Sequence, residues 1–321
     1  MQENNNMKKK FFFFLKLAVG AGLVILLVRH VDWRIIEGEL RDASIPLIFL
    51  ALLLYVAGML LSVERWRATA HYKGFALSFR HALSFHMAGL FLNNFLPSFL
   101  GGDAYRSYLL GRTEKRYAAA VSTIVLTRFV GLWAVIALFL FFGLLGFSSI
   151  FSQWIFQAFG LGLGLFLLFD IALTFFSGHA PVRKFFSIFP KKLQHFFHEI
   201  GGYSDTKFLS RSFFASVIFS FVGVGLFNFA LFSALGESVP IAPYLAVIFL
   251  VSVISSIPIS VNNIGLKEWA YYTFFPLIGM SPEAALAVAL LGRFLQMGVS
   301  LFGAPFFFRN RLRNQEAENE V

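Results

Sequence analysis

The chain has 321 residues, of which 58% are hydrophobic and only 14% are charged, and 27 Lys and Arg against 17 Asp and Glu give a net charge of +10. A soluble domain carries about 25% charged residues, so this composition excludes a soluble enzyme, a disordered tail and a nucleic-acid-binding module. The absence of cysteine excludes disulfides and thiolate metal sites. What remains is an all-α polytopic membrane protein, for which we expect neither a cofactor nor a nucleic-acid partner.

The first apolar segment, at 11–28, follows the basic run Lys8–Lys10. This pattern resembles a secretory signal peptide, but no small-residue cleavage site follows it. We therefore predict a retained span with the N-terminus in the cytoplasm, followed by a loop over 29–42.

Five later segments are apolar and long enough to cross a bilayer: 45–63, 118–146, 153–176, 212–235 and 282–308. Lys and Arg are concentrated after the second span, in the loop at 178–211 and after the last span, which predicts that these regions and both termini are cytoplasmic in a prokaryotic plasma membrane. Within that loop, apolar residues at helical spacing alternate with lysines over 181–200. This pattern is typical of an amphipathic segment that lies in the membrane interface.

Two further apolar stretches, 82–110 and 243–279, are too long for one helix and too interrupted to be regular. The interruptions are turn-forming or polar residues: Asn93, Asn94, Pro97, Ser98, Gly101 and Gly102 in the first stretch, and Pro258, Ser260, Asn262, Asn263 and Gly265 in the second. The flanking charges predict two re-entrant hairpins that enter the membrane from opposite sides. Irregular backbone at membrane depth is tolerated only where protein or a watery cavity surrounds it.

The two broken stretches share a charge spacing. Asp103 is followed 25 residues later by Arg128, and Glu268 is followed 25 residues later by Arg293. A unit of span, hairpin and span thus occurs twice with opposite predicted orientation, which is the inverted repeat of many transporters. The alternative is a coincidence between two stretches rich in Gly and Pro.

An arginine near the middle of a span costs about 2.5–3.5 kcal/mol on insertion scales. Arg128 and Arg293 must therefore face a cavity, a carboxylate or an anionic ligand. One interpretation is that they bind a lipid phosphate, and the other is that they form ion pairs with Asp103 and Glu268.

The remaining polar residues of these segments also have two interpretations. The asparagines at the predicted turns could line a polar pocket or could only satisfy the backbone of the turn, and the three glycines are expected to permit positive φ or close backbone approach. Asp170 in the fourth span and His86 in the first hairpin could relay protons or could be packing residues.

The segment from Leu92 to Arg106 resembles the lysylphosphatidylglycerol synthase transmembrane (flippase-like) family. The hallmark N-x-x-x-P-x-x-x-G-G-D-x-x-R falls on Asn93, Pro97, Gly101, Gly102, Asp103 and Arg106, and a second element G-x-[RK]-E falls on Gly265, Lys267 and Glu268. In the best-known members this unit flips a lipid that a fused cytosolic aminoacyl-transferase domain has modified. We expect that transferase to be absent here, because the chain ends shortly after the last span.

The resemblance implies a flippase for a membrane lipid or a lipid-linked glycan, with the polar and charged residues of the two broken stretches binding the substrate. Two alternatives stay open: a transferase embedded in the membrane, which the lack of known enzyme motifs disfavours, and a non-catalytic accessory of a lipid-modifying complex. A homodimer or a complex with a lipid-modifying enzyme is compatible with each of these interpretations.

Overall fold

The computed structural model describes residues 18–19, 21–29, 33–96, 101–146, 154–176, 203, 205–257 and 259–310, with only the backbone described at 169–176 and 261. These residues form helices joined by turns and contain no β-strand, which confirms the all-α membrane class. The predictions for Pro97, Ser98, Pro258 and the interfacial segment 181–200 lie outside the described residues, as does most of the first half of the predicted span 11–28. Asp170 belongs to a helix whose side chains are not described at that point.

The described residues contain two short 3-10 helices, Val261–Asn263 and Pro276–Ile278, and eleven helices of at least nine residues. The eleven are numbered in chain order: α1 at 21–29, α2 (Trp33–Arg41), α3 (Ile45–Tyr72), α4 (Phe79–Asn93), α5 (Gly101–Glu114), α6 (Tyr117–Leu145), α7 (Trp154–Phe176), α8 (Thr206–Ala234), α9 (Ile241–Ser255), α10 (Leu266–Phe274) and α11 (Pro282–Asn310). Helix α8 contains a π-helical segment at Phe221–Leu226, and α11 contains a turn at Phe302 and Gly303.

Four of these helices, α3, α6, α8 and α11, are long and apolar enough to cross a membrane. With 28 or 29 residues each, they measure about 43 Å, which exceeds the roughly 30 Å of a bilayer's hydrocarbon core. The sequence predicts a span that ends at residue 63, where the apolar stretch ends, but α3 continues to Tyr72. The helix is therefore longer than its apolar stretch, and its last turns extend beyond the length that the hydrocarbon core requires.

The prediction of a loop over 29–42 is wrong, because residues 33–41 form the amphipathic helix α2. Ile36 on its apolar face is buried and packs against Leu286 and Ala287 of α11. On the opposite face Arg41 forms an exposed ion pair with Glu37 one turn earlier. The acidic and basic residues that suggest a loop are thus the polar face of a surface helix.

The two broken stretches form pairs of short helices. Helices α4 and α5 have 15 and 14 residues, and α9 and α10 have 15 and 9, so each is about 14–22 Å long and falls short of the hydrocarbon core. The order long helix, two short helices, long helix therefore occurs twice, as α3 to α6 and as α8 to α11. That each short pair enters and leaves the membrane on one side stays a prediction.

The two units interlock. Helix α9 is buried around its whole circumference over Tyr244–Val251, as expected for a helix that protein rather than lipid surrounds, and it packs along α6 of the other unit. Helices α3 and α8 cross at Gly58 and Gly223, where a Cβ added to Gly58 would lie 2.4 Å from the Cα of Gly223. Glycine is required there because the two backbones are in contact.

Candidate functional site

A cavity of about 190 Å³ lies where the turns of the two short-helix pairs meet. The end of α4 forms one side of it, the turn before α10 forms another, and α11 closes it. Its wall consists mainly of polar side chains, together with three apolar or aromatic ones: Tyr55, Leu90, Asn93, Asn94, Asn262, Asn263, Lys267, Arg293, Gln296, Met297 and Ser300. Four asparagines from two segments that are 169 residues apart in the chain thus share one cavity.

The turn before α10 has an unusual backbone. Asn262 and Asn263 have φ of 48° and 55°, and Gly265 has φ of 81°. Asparagine tolerates the left-handed region better than most residues, and glycine tolerates it best. The side-chain amide of Asn263 also donates to the carbonyl oxygen of Ser255 at the end of α9, so this asparagine stabilises the turn as well as lining the cavity.

Arg293 of α11 holds this turn in place. Its Nε donates to Oε1 of Glu268 at 2.5 Å, and its terminal nitrogens donate to the carbonyl oxygens of Asn262 and Asn263 at 3.3 and 3.0 Å. The other carboxylate oxygen of Glu268 accepts from the backbone N–H of Gly265 at 2.9 Å. Glu268 is only 4% exposed, so Arg293 provides the positive charge that a buried carboxylate requires.

Lys267 provides a second cation on the cavity wall. Its Nζ lies 5.6 Å from the centre of the Tyr271 ring, and the carboxylate next to it, Glu268, is paired with Arg293. Among the described residues that line the cavity there is no acidic side chain. The cavity and its supporting carboxylate therefore carry two positive charges against one negative charge, an imbalance that favours an anionic occupant.

The other unit holds a corresponding cluster around Asp103 of α5. This carboxylate forms ion pairs with Arg128 of α6 and with Arg106 of its own helix. Arg106 also donates to Nδ1 of His86 at 2.6 Å and lies 5.0 Å from the Trp66 ring centre. Since arginine can only donate, His86 accepts with Nδ1 and is neutral, which favours the packing interpretation for this residue.

The two clusters occupy corresponding places in their units. Arg128 lies 11 residues after Tyr117, the first residue of α6, and Arg293 lies 11 residues after Pro282, the first residue of α11. Their surroundings differ: the Arg128 side chain is 40% exposed, whereas that of Arg293 is 18% exposed.

Asn93 connects the cavity with the Asp103 cluster. It lines the cavity, and its Oδ1 accepts from the backbone N–H of Gly102 at 2.7 Å. A Cβ on Gly102 would lie 2.2 Å from the carbonyl oxygen of Gly89, so α5 can begin this close to α4 only with glycine at that position. The side chain of Asn94 donates to Oγ of Ser300 on α11 at 2.6 Å and so ties the first turn to the second unit.

The structure thus brings some of the predicted site residues together and places others apart. Glu268 is not on the cavity wall but pairs with Arg293, which is, and Asp103, Arg106 and Arg128 form the separate cluster. The predicted residues on the cavity wall are Asn93, Asn94, Asn262, Asn263, Lys267 and Arg293. Gln296 and Ser300 are cavity residues that the sequence analysis missed. Their positions three and seven residues after Arg293 place them on its face of α11, which is the signal that could have found them.

Among the described side chains, no group of three or more His, Asp or Glu residues is placed to hold a metal ion. The chemistry of the cavity is instead that of guanidinium, ammonium, amide and hydroxyl groups, which bind anions through donated hydrogen bonds.

Comparisons with known proteins agree with the membrane architecture. A UPF0104 membrane protein of Pyrococcus horikoshii is 23% identical over 92% of this chain and 97% of its own length. Another, of Methanocaldococcus jannaschii, is 28% identical over 72% of this chain and 99% of its own. No solved structure matches the chain significantly. A family model described as the lysylphosphatidylglycerol synthase TM region matches residues 13–303, and the chain therefore belongs to this family.

Proposed function

We propose that this protein translocates a membrane lipid, or a lipid-linked glycan, with an anionic headgroup across the prokaryotic plasma membrane. The observation that carries the proposal is the cavity between the two turns, where Lys267 and Arg293 face four asparagines. A polar, positively charged cavity within an apolar bundle serves a charged substrate better than it serves stability, because each buried cation costs free energy.

The doubled helix order supports transport over simple binding. The predicted orientations of the two units are opposite, so Arg293 belongs to the half of the bilayer near the outside and Arg128 to the half near the cytoplasm. Inverted repeats with broken helices commonly alternate the access to a shared site. In the proposed cycle the headgroup phosphate is bound by one arginine cluster, passes the asparagines of the turns and is received by the other.

Each arginine already has a carboxylate partner, which gives the cycle a physical basis. A phosphate that approaches Arg293 competes with Glu268, and a phosphate that approaches Arg128 competes with Asp103. The arginine is thus never left without an anion, and each displaced carboxylate keeps one other partner, which is Arg106 for Asp103 and the backbone N–H of Gly265 for Glu268. Lys267 has no such carboxylate partner among the described residues, so it is the first contact for an entering anion.

The test is lipid translocation by purified protein in vesicles of phosphatidylcholine that contain a tail-labelled fluorescent phosphatidylglycerol. A membrane-impermeant reagent quenches the label in the outer leaflet, and the additional fraction that becomes quenched over time reports translocation from the inner leaflet. Wild-type protein should make the label in both leaflets accessible, Lys267→Gln should slow this at least tenfold, and Lys267→Arg should keep most of the rate because it keeps the charge.

Lys115→Gln is the matched control, since Lys115 is exposed in the turn between α5 and α6 and away from the cavity. Equal rates for wild type, Lys267→Gln and protein-free vesicles would contradict translocation of this lipid class. Equal and fast rates for wild type and Lys267→Gln would contradict the role of the cavity.

A further inference from the structure

A second cavity, of about 410 Å³, lies between α3, α6 and the first half of α8. Its wall carries basic residues from two helices together with hydroxyl groups and an apolar patch. We propose that this cavity binds a phosphate ester as a separate site on the predicted cytoplasmic side, distinct from the translocation path. Its basic wall is formed by Arg65, Arg67 and Arg211, with Glu64 as its acidic member.

Arg65 is the central residue of this cavity. It is 9% exposed, its guanidinium lies 4.7 Å from the centre of the Phe219 ring, and it donates one hydrogen bond, to the carbonyl oxygen of Thr127 at 3.1 Å. A guanidinium carries five N–H donors in a fixed fork. A buried arginine whose one hydrogen-bond partner is a neutral carbonyl has both the charge and the remaining donors to bind a phosphate.

The charges around Arg65 leave an excess of positive charge. Arg67 is neutralised by Glu64 through two hydrogen bonds of 2.7 Å each. Arg211 is exposed on α8, and the described residues give it neither an ion pair nor a hydrogen bond. The cavity therefore holds three arginines against one glutamate, and two of the three positive charges are not compensated.

The rest of the wall suits the ester part of such a ligand. Ser212 and Ser216 contribute from α8, while Leu126, Val130 and Ala215 form an apolar side. This apolar side suits the glycerol backbone and the first methylene groups of the acyl chains of a phospholipid. A soluble phosphate ester would contact only the arginines and the serine hydroxyl groups. The two sources share the phosphate group, and the experiment separates them.

The second unit has no arginine at the position that corresponds to Arg65, which separates this cavity from the two arginine clusters. Arg65 lies 38 residues before Asp103, and the residue 38 before Glu268 is Ala230, which is buried. A small apolar residue therefore stands where the first unit has a charged arginine.

The experiment measures binding to detergent-solubilised protein by native mass spectrometry, with short-chain phosphatidylglycerol in one arm and glycerol 3-phosphate in the other. All variants carry Lys267→Gln, so that an anion held by the central cavity does not mask the second site. In that background Arg211→Gln and Arg65→Lys should each weaken phosphatidylglycerol binding about tenfold. Arg211 is exposed, so its variant tests the site without a risk to folding, and Lys115→Gln is the control for a loss of charge elsewhere.

Tight phosphatidylglycerol binding with weak glycerol 3-phosphate binding would identify a lipid ligand. Comparable binding of both would identify the phosphate ester alone as the ligand, and either result supports the site when Arg211→Gln and Arg65→Lys weaken the binding. Binding of both probes that is unchanged by Arg211→Gln and Arg65→Lys would overturn the proposal. All variants carry Lys267→Gln, so the differences in binding between them have the same interpretation whether or not the central cavity translocates lipid.

Discussion

The two arginine clusters, which the sequence presents as equivalent, should contribute unequally to stability. Arg293 is the ion-pair partner of Glu268, a carboxylate that is 4% exposed, and it also binds two backbone carbonyl oxygens of the turn before α10. Arg293→Met would leave that carboxylate buried without a cation. Breaking a buried pair by removing one partner costs about 3–5 kcal/mol.

Arg128→Met should cost much less. Asp103 would keep Arg106 as a partner, and the Arg128 side chain is already 40% exposed. Exposed pairs contribute about 0–1 kcal/mol, so the two variants should differ by about 3 kcal/mol, or more than a hundredfold in the unfolding equilibrium.

The free energy of unfolding can be measured by denaturant titration of the detergent-solubilised protein with tryptophan fluorescence as the signal. Adding Glu268→Gln to Arg293→Met should restore part of the loss, because it removes the buried charge that the single substitution strands. This reasoning would be refuted if Arg128→Met and Arg293→Met lowered the free energy of unfolding equally, or if the double variant were less stable than Arg293→Met alone.

Two further predictions concern packing and pH. Gly58→Ala should destabilise the protein by about 1–3 kcal/mol, because its Cβ would lie 2.4 Å from the Cα of Gly223 and the two helices would have to separate. The control is Gly162→Ala in α7, where no atom lies within 4 Å of the added Cβ, and it should stabilise the helix by up to about 1 kcal/mol. Equal effects of the two substitutions in a thermal unfolding assay would contradict the close crossing. Burial, with a smaller contribution from the charge of Glu39, raises the pKa of Glu237 in the loop between α8 and α9. The folded state therefore binds this proton more tightly than the unfolded state, and stability should fall as pH rises through the raised pKa. Glu237→Gln should flatten that slope and raise stability at neutral pH by less than about 1 kcal/mol, and an unchanged slope would contradict the assignment.

The sequence predicts much of the helical framework because it depends on composition and charge spacing. The four long helices coincide with long apolar runs, and the 25-residue spacing from Asp103 to Arg128 and from Glu268 to Arg293 corresponds to an ion pair in both units. Each pair joins a short helix to the long helix that follows it, so its geometry is local to one unit and a spacing can reveal it.

The arrangement between the units could not be predicted in this way. Two contacts depend on how the units pack against each other: Asn93 and Asn263 share a cavity, and Gly58 contacts Gly223. Hydropathy carries no information about that packing. From the sequence, Arg128 and Arg293 are both predicted to bind the substrate, although only Arg293 belongs to the cavity wall. Helix α2 was missed for a different reason: its nine residues are too short and too polar for a hydropathy window to detect.

The central claim is that the cavity between the turns is reached from both sides of the membrane. The chain contains no cysteine, so single cysteines at Gln296, Lys115 and Glu237 can be placed in the otherwise native protein and tested in sealed vesicles with a membrane-impermeant thiol reagent. Gln296 lines the cavity and makes none of the ion pairs described above. We expect Gln296→Cys to react from either face, Lys115→Cys only from the cytoplasmic face and Glu237→Cys only from the outer face. Reaction of Gln296→Cys from one face alone, while both controls react as expected, would contradict alternating access to the cavity.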